Sequence, residues 1–141
     1  MGVMIAGGLL GARDGPVAIV TYLVLGIIGL PVFSGGRSGP AMLAGPTGGF
    51  LWGFIPGAFI TGLIAHARKR LPAWKVVGGL LLGGVILVDA CGVVQLSLVT
   101  GLPLRHALTV GVIPFIPGDM LKVAAAAFLL QRQAIRHAAS E

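Results

Sequence analysis

The chain has 141 residues, of which 56% are hydrophobic and only 10% are charged. A soluble domain carries roughly 25% charged residues to cover its surface, so this composition excludes a water-soluble fold and predicts a protein surrounded by lipid. The net charge of +6 does not indicate a nucleic-acid partner, because the basic residues lie in short clusters between apolar runs and not in a stripe with interleaved aromatic residues. The length suits one domain, and we expect a single membrane domain over residues 1–141.

Charged residues, prolines and glycines divide the sequence into five apolar segments, each predicted to be helical. In chain order they are segment A (residues 1–10), segment B (16–30), segment C (50–66), segment D (76–99) and segment E (about 107–131). Segments D and E reach the roughly 20 residues that a bilayer core requires, whereas B and C are marginal and A is about half a span. The runs do not alternate apolar and polar residues as strands of a membrane barrel do. The predicted fold is therefore all-α, a polytopic helical membrane protein with four full spans and a remnant.

Lysine and arginine are distributed unequally between the two predicted ends of the bundle. If segments B to E cross alternately, one end holds two basic residues, Arg37 and Arg105, and the other holds seven: Arg13, Arg68, Lys69, Arg70, Lys75, Arg132 and Arg136. Cytoplasmic loops carry an excess of Lys and Arg. The sequence therefore predicts a multi-pass protein of the plasma membrane with a cytoplasmic C-terminus, and an outward-facing Gly-rich loop over residues 31–49.

Charged residues within segments D and E are the first candidates for a site, because ionisable groups at membrane depth are costly and are usually functional. Asp119 and Lys122 are three residues apart, which places them on one helical face within ion-pair reach; a pair that only stabilises the helix is the alternative. The residues 114–118, with two prolines and a glycine, are predicted to interrupt segment E just outward of this pair. Broken helices at membrane depth are tolerated where they line a cavity.

Asp89 in segment D is expected at a depth similar to that of Asp119. Whether both carboxylates face one cavity is left open, as is the role of Gln95.

The outward-facing Gly-rich loop over residues 31–49 is the second candidate for a site. It supplies exposed backbone N–H groups, hydroxyls and one cation, Arg37, and we expect it to fold over an outward-facing cavity as a lid; a flexible connector is the alternative. No Lys-Ser/Thr pair follows its glycines, so it is not a P-loop. The sequence shows no His/Cys set with metal-ligand spacing and no nucleophile with a base. We therefore expect no enzyme activity, no metal and no cofactor.

Two pairs of glycines have the spacing of close helix contacts. Gly53 and Gly57 lie four residues apart in segment C, and Gly79 and Gly83 have the same spacing in segment D. Small residues at this spacing allow membrane helices to approach closely. The pattern predicts either internal packing or an interface with a partner.

Three motifs together resemble the BioY family. They are Leu30-Pro-Val-Phe-Ser-Gly-Gly, then Gly45-Pro-Thr-Gly-Gly-Phe, then Pro114-Phe-Ile-Pro-Gly-Asp-Met-Leu-Lys122. That family supplies the biotin-binding membrane subunit, or S component, of energy-coupling factor (ECF) transporters. The resemblance implies an S-component-like bundle of six helices, of which the first is lacking here and segment A is half of the second. The chain is thus expected to be an N-terminally shortened member of this class.

The resemblance also implies a ligand, partners and a site. The implied ligand is biotin, captured from the outer face, and the implied partners are the ECF transmembrane coupling protein and its ATPase subunits. A solitary biotin carrier, an S component for another small vitamin and a non-transporting helical scaffold are the alternatives.

Asp89 is a candidate for the site on depth alone, and Arg37 is our own addition as the partner of the valerate carboxylate. The family motifs place the ligand contacts at Asp119 and Lys122, and the pocket wall and lid at Gly45, Pro46, Thr47, Gly48 and Gly49.

Overall fold

The computed structural model describes residues 1–66 and 71–140 of the chain. Within these ranges the chain is helical between its connecting loops and contains no β-strand, only an isolated bridge between Phe33 and Arg37. The predicted all-α class is confirmed. The predicted basic cluster of residues 68–70 lies outside the described residues.

A short N-terminal arm precedes six helices in the described ranges. The arm consists of the helix Gly2–Ile5 and the π-helical turn Ala6–Leu10. The helices are α1 (Gly11–Ile27), α2 (Ala41–Ala44), α3 (Gly48–Ala65), α4 (Ala73–Thr100, with a π-helical turn at Leu82–Ile86), α5 (Leu104–Gly111) and α6 (Ile116–Ala139). Four stretches are long and apolar enough to span a membrane: Gly2–Ile27, Gly48–Ala65, Ala73–Thr100 and Leu104–Ala139.

The first of these stretches turns back on itself at Gly11. The backbone there has φ 89° and ψ −176°, a conformation outside the helical region that glycine adopts without steric cost. On either side of the turn the chain runs antiparallel, because a Cβ atom placed on Gly15 would lie 2.9 Å from the Cα atom of Gly7. In a continuous helix these two residues would be roughly 12 Å apart, at 1.5 Å per residue. The arm therefore packs against α1.

Several predicted segment boundaries are wrong. Helix α1 begins at Gly11 and not at residue 16, because Arg13 and Asp14 are exposed at the end of the bundle and continue the helix instead of breaking it. The last segment begins at Leu104 and continues to Ala139, so the basic residues after Gln131, which lay outside predicted segment E, belong to the final part of α6.

Glycines bring α3 and α4 into backbone contact. A Cβ atom on Gly57 would lie 2.6 Å from the backbone oxygen of Gly83, and one on Gly79 would lie 2.8 Å from the side chain of Ile64. Gly53 faces α4 in the same way, at 3.0 Å from Cys91 Cβ. Both glycine pairs therefore serve internal packing, which was one of the two alternatives left open by their spacing.

The two ends of the bundle differ in charge. His66, which follows α3, lies 3.1 Å through Nδ1 from the backbone oxygen of Gly8, and Gly8 packs on Leu130 of α6. These contacts place Arg13, Lys75, Arg132 and Arg136 toward one end, the basic end. The loop over residues 31–47, hereafter the lid, and Arg105 lie toward the opposite end, where Gly48 and Gly49 pack on Gln95.

Candidate ligand-binding site

A cavity of about 480 Å³ lies beneath the lid, between the arm and helices α3 to α6. Its volume falls in the roughly 300–1,000 Å³ range of small-molecule sites. Its wall is mostly apolar and carries five side chains with polar groups: Ser34, Thr47, Asp89, Asp119 and Lys122. A few polar groups on an apolar wall are the usual composition of a site that orients a small ligand.

The predicted ion pair is present on the cavity wall. Lys122 Nζ lies 3.1 Å from Asp119 Oδ1, and the side chain of Asp119 is 13% exposed while that of Lys122 is 46% exposed. Asp89 of α4 lines the same cavity. The question that the sequence left open is thereby answered, since Asp89 and Asp119 share one cavity.

A break in the helix positions the pair. Helix α5 ends at Gly111, the backbone leaves the helical region at Val112 (φ −121°, ψ −52°), and a 3-10 turn over Ile113–Phe115 leads into α6. The predicted interruption is therefore confirmed. Asp119 lies in the first turn of α6, where the unpaired N–H groups of the helix N-terminus stabilise a negative charge.

The lid is anchored to α1 at its start. Tyr22 Oη donates a hydrogen bond to the backbone oxygen of Val32 at 2.9 Å. The ring of Phe33 is buried, packs edge-to-face on Tyr22 with the ring centroids 5.6 Å apart, and fills the space left by Gly26. This part of the loop is packed against the bundle, as a lid requires.

The glycines of the motif at the end of the lid pack near Gln95 of α4, and Gly45, Gly48 and Gly49 are not among the described residues that line the cavity. A Cβ atom on Gly48 would lie 2.6 Å from Gln95 Nε2, and one on Gly49 would lie 2.6 Å from Gln95 Cβ. The backbone oxygen of Gly45 accepts a hydrogen bond from the same Gln95 amide at 2.8 Å. These glycines allow the lid and α3 to approach α4.

The other residues predicted for the site take different positions. Thr47 lines the cavity. Pro46 and Arg37 are exposed, and neither is among the described residues of the cavity wall. The structure therefore brings Thr47, Asp89, Asp119 and Lys122 together, while Arg37 lies in the turn of the lid that Phe33 closes.

Aromatic side chains of the site were missed by the sequence analysis. Phe33, Phe50, Phe54 and Phe115 all line the cavity. The spacing of Phe50 and Phe54, one helical turn apart, was the available signal. It is weak, because aromatic residues at helical spacing also occur wherever a helix faces a core or lipid.

Comparisons with known proteins agree with this architecture. Residues 1–139 match the model of the BioY family. The biotin transporter BioY of Rhizobium etli is 44% identical over 135 residues, covering 92% of this chain and 72% of that protein. The biotin transporter BioY of Rhodobacter capsulatus is 42% identical over 132 residues, covering 87% of this chain and 70% of that protein. The crystal structure of the S-component for biotin from an ECF-type ABC transporter superposes with a TM-score of 0.83 at 33% identity, over 92% of this chain and 70% of that chain.

Proposed function

Because this chain belongs to the BioY family, we propose that it is the biotin-binding S component of an ECF transporter and takes part in biotin uptake. It is a multi-pass membrane protein that captures the vitamin at the lid end of the bundle and releases it toward the basic end. The observation that carries the proposal is the Asp119–Lys122 pair on the wall of a cavity beneath the lid. Relatives that align over most of this chain are biotin transporters.

The chemistry of the cavity suits biotin. The ionised carboxylate of Asp119 accepts hydrogen bonds from the ureido N–H groups, and the ammonium of Lys122 donates to a carbonyl or carboxylate oxygen. Hydrogen bonds to charged groups are stronger than those between neutral groups, so these two side chains orient the polar head. The aromatic side chains Phe50, Phe54 and Phe115 supply the apolar wall for the ring system and the alkyl chain.

Energy for uptake comes from other subunits under this proposal. The sequence carries no P-loop, and the structural relative is a component of an ECF-type ABC transporter. The partners are an ECF transmembrane coupling protein and its ATPases, and the chain itself is not an enzyme. Its basic end faces the cytoplasm together with the C-terminus, and its lid faces outward.

Uptake of radiolabelled biotin tests this assignment. The chain is expressed in cells that lack biotin uptake, with and without a coupling protein and its ATPases. We expect accumulation that requires both the chain and the coupling module and is reduced in Asp119→Asn at low biotin concentration. Accumulation without the module would instead indicate a solitary carrier, and no accumulation in either strain, with the protein present in the membrane, would reject biotin uptake.

A further inference from the structure

Gln95 joins the lid to α4. Its side chain is half-buried on α4, and its Nε2 atom donates a hydrogen bond at 2.8 Å to the backbone oxygen of Leu43 and another at 2.8 Å to the backbone oxygen of Gly45. One amide group thus bonds to two carbonyl groups of the lid that are 50 or more positions away in sequence. This contact is long-range and polar in a chain whose packing is mostly apolar.

Each of the two carbonyl groups has another hydrogen-bond donor besides Gln95. The oxygen of Leu43 also accepts a hydrogen bond from Trp52 Nε1 at 3.3 Å, and the oxygen of Gly45 accepts one from the backbone N–H of Gly48 at 3.0 Å. Loss of the Gln95 donor would therefore leave neither carbonyl without a partner. What the Gln95 bonds add is a connection between the lid and α4, besides the one that Trp52 makes to α3.

The part of the lid that Gln95 holds borders the ligand cavity. Met42 and Thr47 line the cavity on either side of the two accepting residues, Leu43 and Gly45. Leu43 is buried among the core side chains beneath the lid. Holding these two backbone oxygens against α4 therefore fixes the positions of Met42 and Thr47 over the cavity.

Gln95 is placed for this role by its neighbours. A side chain on Gly48 or Gly49 would collide with it, so the two glycines create the space that it occupies. The next residue of α4, Leu96, lines the cavity, whereas Gln95 is not among the described residues of the cavity wall. An effect of Gln95 on ligand binding would therefore act through the lid.

We propose that Gln95 is a positioning residue that fastens the lid over the bound ligand and thereby sets the rate at which the ligand dissociates. The proposal rests on the proposed function in one respect, that the ligand beneath the lid is biotin. It goes beyond that function by assigning the control of ligand release to a residue that does not touch the ligand.

Dissociation kinetics of biotin from the purified chain in lipid nanodiscs test the proposal. Gln95→Met keeps the size of the side chain and removes the donor. We expect the dissociation rate to rise about tenfold, as for loss of a pair of hydrogen bonds of ordinary strength, with an association rate changed less than about twofold, because affinity changes within one site act mainly on dissociation. Gln95→Glu replaces the donor with an acceptor facing two carbonyl oxygens and should release biotin at least as fast as Gln95→Met.

The matched control is Gln133→Met. Gln133 lies on α6 toward the basic end, half-buried and far along the helix from the cavity, so its variant should release biotin at the wild-type rate. An unchanged dissociation rate in Gln95→Met, with wild type and control binding biotin, would overturn the role of Gln95. Failure of wild type and control to bind biotin would instead count against the proposed function.

A measurement without ligand tests the role of Gln95 independently of the proposed function. Spin labels at Ala44→Cys, an exposed lid position between the two accepting residues, and at Thr100→Cys at the end of α4, in a Cys91→Ala background, report the distance between lid and helix. We expect one narrow distance distribution in this background and a broader one when Gln95→Met is added. A distribution that is equally narrow with and without Gln95→Met would show that the lid does not depend on this tether, whatever the ligand.

Discussion

At the residue scale, the proposed site depends most on the carboxylate of Asp119. It is mostly buried, paired with Lys122 at 3.1 Å, and lies in the first turn of α6. A charged acceptor on the wall of an apolar cavity contributes strongly to recognition of an N–H donor. Substitution of Asp119 should therefore lower the affinity for biotin more than it lowers the stability of the fold.

Asp119→Asn should weaken biotin binding without loss of folded protein. A hydrogen bond to a charged group contributes about 1.5–3 kcal/mol, so we expect the dissociation constant to rise about tenfold or more in titration calorimetry. Asp14→Asn is the matched control, because Asp14 is exposed at the basic end of α1, and its affinity should equal that of the wild type. Equal affinities for Asp119→Asn and Asp14→Asn would remove Asp119 from the site.

Arg37 remains a prediction of the sequence. It is exposed in the turn of the lid and is not among the described residues of the cavity wall. If it pairs with the valerate carboxylate, Arg37→Ala should raise the dissociation constant for biotin but leave that for biotin methyl ester unchanged. An unchanged affinity for biotin itself would reject the pairing.

The sequence could predict some residues of the site and not others for a physical reason. A charge such as Asp89 or Asp119 inside an apolar run is conspicuous without any knowledge of packing, because its burial is costly wherever it lies. Phe54 is ordinary in a membrane helix, and its place on the cavity wall depends on how three helices pack. Gln95 stands out in the sequence as a polar residue within an apolar segment. Its two hydrogen-bond acceptors belong to a distant loop and could be found only in the structure.

At the element scale, the contact between α3 and α4 depends on the absence of side chains at Gly57 and Gly83. Gly57→Ala should destabilise the protein, because the added Cβ atom would lie 2.6 Å from the backbone oxygen of Gly83. Overpacking of this kind costs about 1–3 kcal/mol, and we expect a lower melting temperature in detergent. Gly78→Ala is the control, since no atom lies within 4 Å of its added Cβ; a similar loss in both variants would contradict the close contact.

The elements themselves were predicted better than their ends. Apolar runs of span length have few alternatives in lipid, so the four spans and the break before Asp119 could be predicted. The charged residues after Gly11 suggested a loop, yet they continue α1 at the surface of the bundle. Likewise the basic residues after Gln131 do not end α6, because a helix can leave the apolar layer without a change in its backbone.

At the scale of the whole molecule, the charge difference between the two ends predicts orientation. In a Cys91→Ala background, Ser38→Cys in the lid should react with a membrane-impermeant thiol reagent added to intact cells. Ser140→Cys, at the end of α6, should react only after the cells are opened, because Lys and Arg are enriched on the cytoplasmic side. Reaction of Ser140→Cys in intact cells would reverse the predicted topology.

Direct binding of radiolabelled biotin to the purified chain in nanodiscs tests the central claim, that the cavity beneath the lid is a biotin site. The account predicts saturable binding of one biotin per chain, displaced by unlabelled biotin but not by an excess of thiamine or riboflavin. Binding that another vitamin displaces equally well, or no saturable binding at all, would contradict it.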